Sequence, residues 1–184
     1  MDVIATEIPE VVIVEPKVFG DQRGFFLEAF QAGRYAELGM TRPFLQDNLS
    51  RSTHGVLRGL HIQYPKPQGK LVTVLRGHVL DVAIDVRKNS PTFGKHVAVE
   101  LSEENRRQLW IPRGFAHGFR VLSEVADFFY KCDEYYAPDT QKVIAWDDPE
   151  LAIEWGTDRP TLSARDAEGQ RLAEIADLPE YAVN

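Results

Sequence analysis

HGVLRGLHIQYPKPQGKLVTVLRGH, residues 54–78, holds two apolar runs, Val56 to Ile62 and Leu71 to Leu75, separated by a Pro/Gly-rich connection. That pattern predicts two β-strands joined by a tight turn. Arg58, His61 and Lys70 interrupt these runs. An unpaired charge is costly in a core, so the three are expected to line a cavity.

Working outward, β-type segments recur at close intervals: Phe44 to Arg51, Val56 to Gln63, Leu71 to Arg76, His78 to Val86, His96 to Leu101, Gln108 to Ile111, Gly118 to Leu122, Ala126 to Tyr135 and Lys142 to Ala145. Val11 to Val14 and Phe25 to Phe30 add strands on the N-terminal side, around a polar Lys17 to Gly24 loop. Many short strands with turn residues between them predict a mainly β, antiparallel sandwich or barrel. In VLDVAIDV, Leu80, Val82, Ile84 and Val86 alternate with Asp81, Ala83 and Asp85, which predicts one core face and one wet or functional face. Helices are expected only at Gln31 to Met40, on the periphery, and at Ser163 to Ile175, in a C-terminal tail of residues 163–184.

With 184 residues and no low-complexity linker, the chain is expected to form one domain, residues 1–184. No apolar run is long enough to span a bilayer, so no membrane partner is expected. A formal charge of −7 argues against nucleic acid as a partner. The opening MDVIATEI lacks a secretory signal pattern, and the single cysteine, Cys132, suits a reducing compartment, so the cytoplasm is the expected location. Cys132 is expected to be a strand residue without chemistry.

Two glycine-bounded patterns, Gly55 to His61 and PRGFAHGF over Pro112 to Phe119, resemble the paired motifs of the cupin superfamily. That resemblance implies a jelly roll of two antiparallel sheets around a metal or a substrate. Metal-binding cupins carry His-x-His and a nearby Glu in the first motif. Here His61, Gln63 and the Pro67–Gln68 region stand there, and His117 completes the second motif. Metal sites of this kind need three or four His, Cys or carboxylate ligands, so no metal is expected. A metal-dependent cupin using His61, His117 and Gln63 is the rival. Lys70 and Arg58 beside His61 instead favour an anion or a developing oxyanion. Such a site suits enolate chemistry: His61 removes a proton beside a carbonyl, Lys70 steadies the oxygen, and a second donor on the opposite face inverts the carbon. Tyr130, in DFFYKC, is the best candidate for that donor.

The strings FGDQRGFFLE, QDNLSRS, GVLRGLH, PQGKLV, IPRGFAHGF and YKC followed by YYAP, in order along most of the chain, resemble the dTDP-4-dehydrorhamnose 3,5-epimerase family. The resemblance implies cofactor-free conversion of dTDP-4-dehydro-6-deoxy-D-glucose to dTDP-4-dehydro-L-rhamnose. It assigns His61 as base, Tyr130 as acid, Lys70 as the enolate's cation, and Asp166 as the group orienting His61. It further implies substrate contacts from Arg23, Glu28, Gln46, Asn48, Arg58, His117, Tyr136 and Arg165, with Phe19 stacking on the base. It also implies a homodimer with swapped N-terminal strands. Arg165 and Gln141 stand where the family pattern often has Lys and an acid. Relatives that invert only C3 or only C5 share much of this motif set, so a single inversion is the alternative.

From the residues themselves, three further readings follow. Glu28, in an aromatic strand, needs a partner, and Arg23 is a natural one. Asp166, three residues after Ser163, has helix capping as a rival role. Arg58 and His61, three apart, would point to opposite faces of a regular strand. Either a bulge at Gly59 brings them together, or Arg58 reaches around the barrel mouth.

Overall fold

The computed structural model describes residues 1–182, so the last two positions of the expected tail lie outside the described residues. In chain order the strands are β1 (Asp2–Ala5), β2 (Val12–Glu15), β3 (Val18–Asp21), β4 (Gly24–Leu27), β5 (Gln46–Thr53), β6 (Leu57–Gln63), β7 (Lys70–Arg76), β8 (His78–Asp85), β9 (His96–Ser102), β10 (Gln108–Ile111), β11 (Phe115–Val121), β12 (Val125–Cys132) and β13 (Gln141–Val143). The α-helices are α1 (Ala32–Ala36) and α2 (Ala164–Ala167). A six-stranded sheet, β1-β2-β10-β7-β12-β5, faces a five-stranded sheet, β13-β6-β11-β8-β9, and every strand pair is antiparallel. β3 and β4 form a separate hairpin.

Alternation along each strand sends one face inward, where Val72, Val74, Val79, Val99, Leu109, Phe119 and Phe128 form the core between the sheets. Phe119 of one sheet stacks on Phe128 of the other, with ring centroids 4.0 Å apart. The site therefore lies in the unfilled part of a cup whose remaining interior is packed.

Of the wet or functional face expected for β8, the wet reading fails, because the strand is covered on both sides. Val82, Ile84 and Val86 pack under the C-terminal segment through Ile144, Leu151, Trp155, Leu172 and Ile175. Each such buried side chain contributes about 1.5–3 kcal/mol. Its other face puts Asp81 and Asp85, both fully buried, inside the barrel. Asp85 accepts from Arg87 Nε and Nη2 at 2.8 and 2.7 Å, from Ser90 Oγ at 2.5 Å and from Thr92 Oγ1 at 2.6 Å. Burial alone would raise its pKa, but these bonds outweigh it and hold the carboxyl below the ordinary value. A group with a depressed folded-state pKa stabilises the fold fully above its unfolded pKa, near 3.8, and loses that contribution as pH falls through the lower folded value. Arg87→Ala is therefore expected to cost about 3–5 kcal/mol at pH 7, since it strands a buried carboxylate. The gap from wild type should shrink below pH 4, as urea unfolding at pH 7 and pH 3 would show; a constant gap would contradict it.

Three further expectations need correction. The Lys17 to Gly24 loop contains β3 and its turn, so FGDQRG is hairpin rather than loop, and β1 is an additional strand. Gln31 to Met40 shortens to α1, capped by Gln31, whose Oε1 accepts from Arg34 N–H. The expected helix Ser163 to Ile175 breaks into α2 and a 3-10 turn at Leu172–Glu174. Gly169 is the reason, since a Cβ there would sit 2.8 Å from Ala145 N, and the next residue bonds to β13 and the loop after it. Among the described residues, no helix is long and apolar enough to cross a membrane.

Candidate active site

A cavity of about 620 Å³ opens between the sheets, lined by His61 of β6, Lys70 of β7, Tyr130 of β12, Gln46 and Asn48 of β5, and the segment from Thr161 to Asp166. Alternation puts Gln46 and Asn48 on one face, and Gln46 Nε2 donates to Asn48 Oδ1 at 2.9 Å.

Arg58 and His61 both enter this cavity, which a regular strand would forbid. His117 pairs with His61 and Phe119 with Arg58, so β6 carries one extra residue against β11. The bulge sits at Gly59, whose φ is +112°. Only glycine fits there: a Cβ would lie 2.6 Å from His117 O and 2.7 Å from Gly118 Cα. Of the two arrangements open from the sequence, the bulge is the one present.

His61 Nε2 donates to Asp166 Oδ1 at 2.6 Å, which fixes the tautomer and leaves Nδ1 as the basic nitrogen. Ser163 caps α2 by accepting from Asp166 N–H at 3.1 Å. The backbone of Asp166 thus serves the cap while its side chain serves His61, and the two readings of this residue hold together. Burial would raise the Asp166 pKa; the bonds from His61, Ser163 and Gly59 N–H prevail and hold it below the usual carboxylate value.

On the facing sheet, Lys70 pairs with Cys132 and Val72 with Tyr130, so Lys70 and Tyr130 point inward from adjacent strands. Burial pushes the Lys70 ammonium below the usual lysine range, opposed by Cys132 and Asp81. It likewise pushes the Tyr130 phenol up, so the hydroxyl stays protonated at neutral pH. Cys132, fully buried, is pushed up to about 11 and remains a thiol.

At the mouth, Arg165 Nη1 donates to Tyr136 Oη at 3.3 Å, and Tyr136 Oη donates to Gln141 Oε1 at 2.7 Å. Tyr136 N–H is held by Gln46 Oε1 at 2.9 Å. Gln141, Gln63 and Gln68 also line the cavity; their neutral amides carried no charge signal that would have singled them out.

Four expected contacts do not line this cavity. His117 is buried, donating Nε2–H to Asp81 at 2.9 Å and stacking on Phe128, so it supports the floor instead of facing a ligand. Asp81 was missed because its alternation with apolar neighbours resembled a solvent face. Phe19 is exposed on the β3–β4 hairpin. Arg23 pairs with Asp21 at the hairpin turn, and Glu28 with Arg34 at 2.6 Å, so the expected Arg23–Glu28 pair is absent. The metal-ligand set His61, His117 and Gln63 does not assemble either. Each histidine is bonded to a carboxylate, and Gln63 bonds Lys66 O, Tyr135 O and Ala137 N–H. Among the described residues, no group of three His, Cys, Asp or Glu side chains is placed to hold a metal.

Two facing antiparallel sheets, with a His–Asp pair, a lysine and a tyrosine around the cavity between them, define a cupin built for proton transfer. The sequence profile of the family described as dTDP-4-dehydrorhamnose 3,5-epimerase matches residues 5–174, and the chain belongs to that family. The dTDP-4-dehydrorhamnose 3,5-epimerase of Shigella flexneri is 55% identical over 176 residues, covering 95% of this chain and 97% of the relative. The dTDP-4-dehydrorhamnose 3-epimerase of Streptomyces niveus is 40% identical over 174 residues, covering 92% and 84%. The crystal structure of the Legionella pneumophila 3,5-epimerase, in complex with dTDP-4-keto-L-rhamnose, superposes with a TM-score of 0.97 at 55% identity, covering 99% of each chain.

Proposed function

We propose that this protein inverts C3 and C5 of dTDP-4-dehydro-6-deoxy-D-glucose, giving dTDP-4-dehydro-L-rhamnose. The observation that carries the reading is the opposition of walls: a base on one sheet, and an acid and a cation on the other, around one cavity. His61 Nδ1 takes the proton from the carbon beside the C4 ketone. The electron pair moves onto the ketone oxygen, where Lys70 stabilises it. Tyr130 Oη then gives its proton to the opposite face of the carbon, which inverts it. Imidazolium and phenolate return to their starting states by one proton exchange each. The same cycle at the second carbon completes the reaction. Asp166 stabilises the imidazolium formed on the way. Arg58 and Arg165, both exposed at the cavity, suit the diphosphate, because a guanidinium matches phosphate oxygens with paired donors.

The double inversion is favoured over a single one by 55% identity to the Shigella flexneri 3,5-epimerase against 40% to the Streptomyces niveus 3-epimerase. Phe19, Arg23 and Glu28 stand away from their own cavity, on and just beyond an exposed hairpin. We read them as reaching the cavity of a second copy, in a homodimer that exchanges N-terminal strands.

Proton NMR of the keto-sugar nucleotide with this protein in deuterium oxide, followed by a ketoreductase to trap product, tests the reaction. Deuterium at both C3 and C5 with an L-configured product is expected. Deuterium at C3 alone would reduce the activity to a single inversion.

A further inference from the structure

We infer that Arg113, in the Pro-Arg-Gly turn before β11, is a positioning residue for Lys70, acting through Asp133 and Gly69. The inference rests on the proposed role of Lys70 as the enolate's cation.

Asp133 follows β12 directly and is 4% exposed. Arg113 Nε lies 3.1 and 2.9 Å from its two carboxylate oxygens, and Nη2 donates to Asp133 O at 2.8 Å. Arg113 thus grips both the side chain and the backbone of one residue, a geometry that only the guanidinium fork supplies. Asp133 Oδ1 in turn accepts from Gly69 N–H at 2.7 Å, and Asp133 N–H donates to Gly69 O at 3.1 Å. Gly69 is therefore held at both of its backbone groups. No side chain is possible there, since a Cβ would lie 2.6 Å from the Trp110 ring and 2.9 Å from Asp133 Oδ2.

Lys70 is the next residue and the first of β7. Among the described residues its ammonium has no hydrogen-bond or ion-pair partner, so its position is inherited from its backbone and the walls around its stem. One arginine outside the cavity thereby sets where the cation stands within it. Misplacing a reacting group by about 1 Å costs roughly 10²-fold in rate.

A purely structural ion pair would also stabilise the fold, so the test has to read the path through Lys70. Wild type, Arg113→Met, Lys70→Met and the double variant are compared at a temperature where all four are folded. The readouts are kcat, KM and deuterium uptake by the keto-sugar nucleotide. Arg113→Met is expected to lower kcat about tenfold or more while KM changes by less than about threefold. In the Lys70→Met background it should cost less than about twofold, because the group it positions is gone. An unchanged kcat, or the same fold loss in both backgrounds, overturns the inference. Full activity in Lys70→Met alone would instead overturn the enolate role, and this inference with it. If Arg113→Met does not fold, Arg113→Lys takes its place: it keeps the charge beside Asp133 but loses the second grip. A kcat loss of about threefold, absent in the Lys70→Met background, is then expected, and unchanged kcat overturns the inference.

Discussion

Replacing His61 with alanine is expected to abolish product formation and deuterium uptake at C3 and C5 together, with kcat falling about 10²–10⁴-fold. The other ionisable groups lining the cavity are poorly suited to take a carbon-bound proton. Arg58 and Arg165 are permanent cations, Lys70 is needed as the cation that steadies the oxygen, Tyr136 Oη is committed to Gln141, and Tyr130 is held in its protonated form by burial. Asp166 is buried behind His61, with its carboxylate committed to that ring and its pKa depressed, which makes it a weak base. His61 keeps partial contact with solvent, at 29% side-chain exposure, so its truncation should leave the fold intact. KM should change little, because Arg58 and Arg165, the arginines proposed to hold the diphosphate, are untouched. Persistent deuterium uptake in folded His61→Ala would assign the base elsewhere.

Tyr130→Phe is expected to separate the two readouts. Removal of the hydroxyl leaves His61 and Lys70 in place, so the enolate still forms and the labile hydrogen still exchanges with solvent from the original face. The proton donor on the opposite face is lost, so formation of the L-sugar should fall by about 10²–10⁴-fold while exchange persists. The ring fills the same space in the variant, next to Phe128 at a centroid distance of 5.9 Å, so packing is preserved. Equal loss of exchange and product would remove Tyr130 from the donor role.

What the sequence made readable followed from energetic cost. Arg58, His61 and Lys70 stand out because charges in apolar strands need a purpose, and all three face the cavity. Gln46 and Asn48 stood out through the family resemblance, and period-two alternation puts both on one face. His117 shows the limit of that logic. It also sits in an apolar, glycine-bounded strand, but its cost is met by Asp81, a carboxylate on the neighbouring strand β8 that local pattern assigned to a wet or functional face. Tertiary cover decides such cases: the C-terminal segment that buries the outside of β8 lies about 60–100 residues away in the chain and leaves no trace in VLDVAIDV. β3 and the turn to β4 escaped for the opposite reason. The hairpin buries almost nothing within its own chain, so FGDQRG carries turn residues without an apolar signature.

The spacing of the His61–Asp166 pair, 105 residues along the chain, has a consequence for the order in which activity is acquired. The strand bearing the imidazole is synthesised 105 residues before the carboxylate that orients it. Until that last strap docks, a nascent barrel has a cup but no tuned base. A chain ending before Asp166 would therefore lack the group that fixes the tautomer of His61.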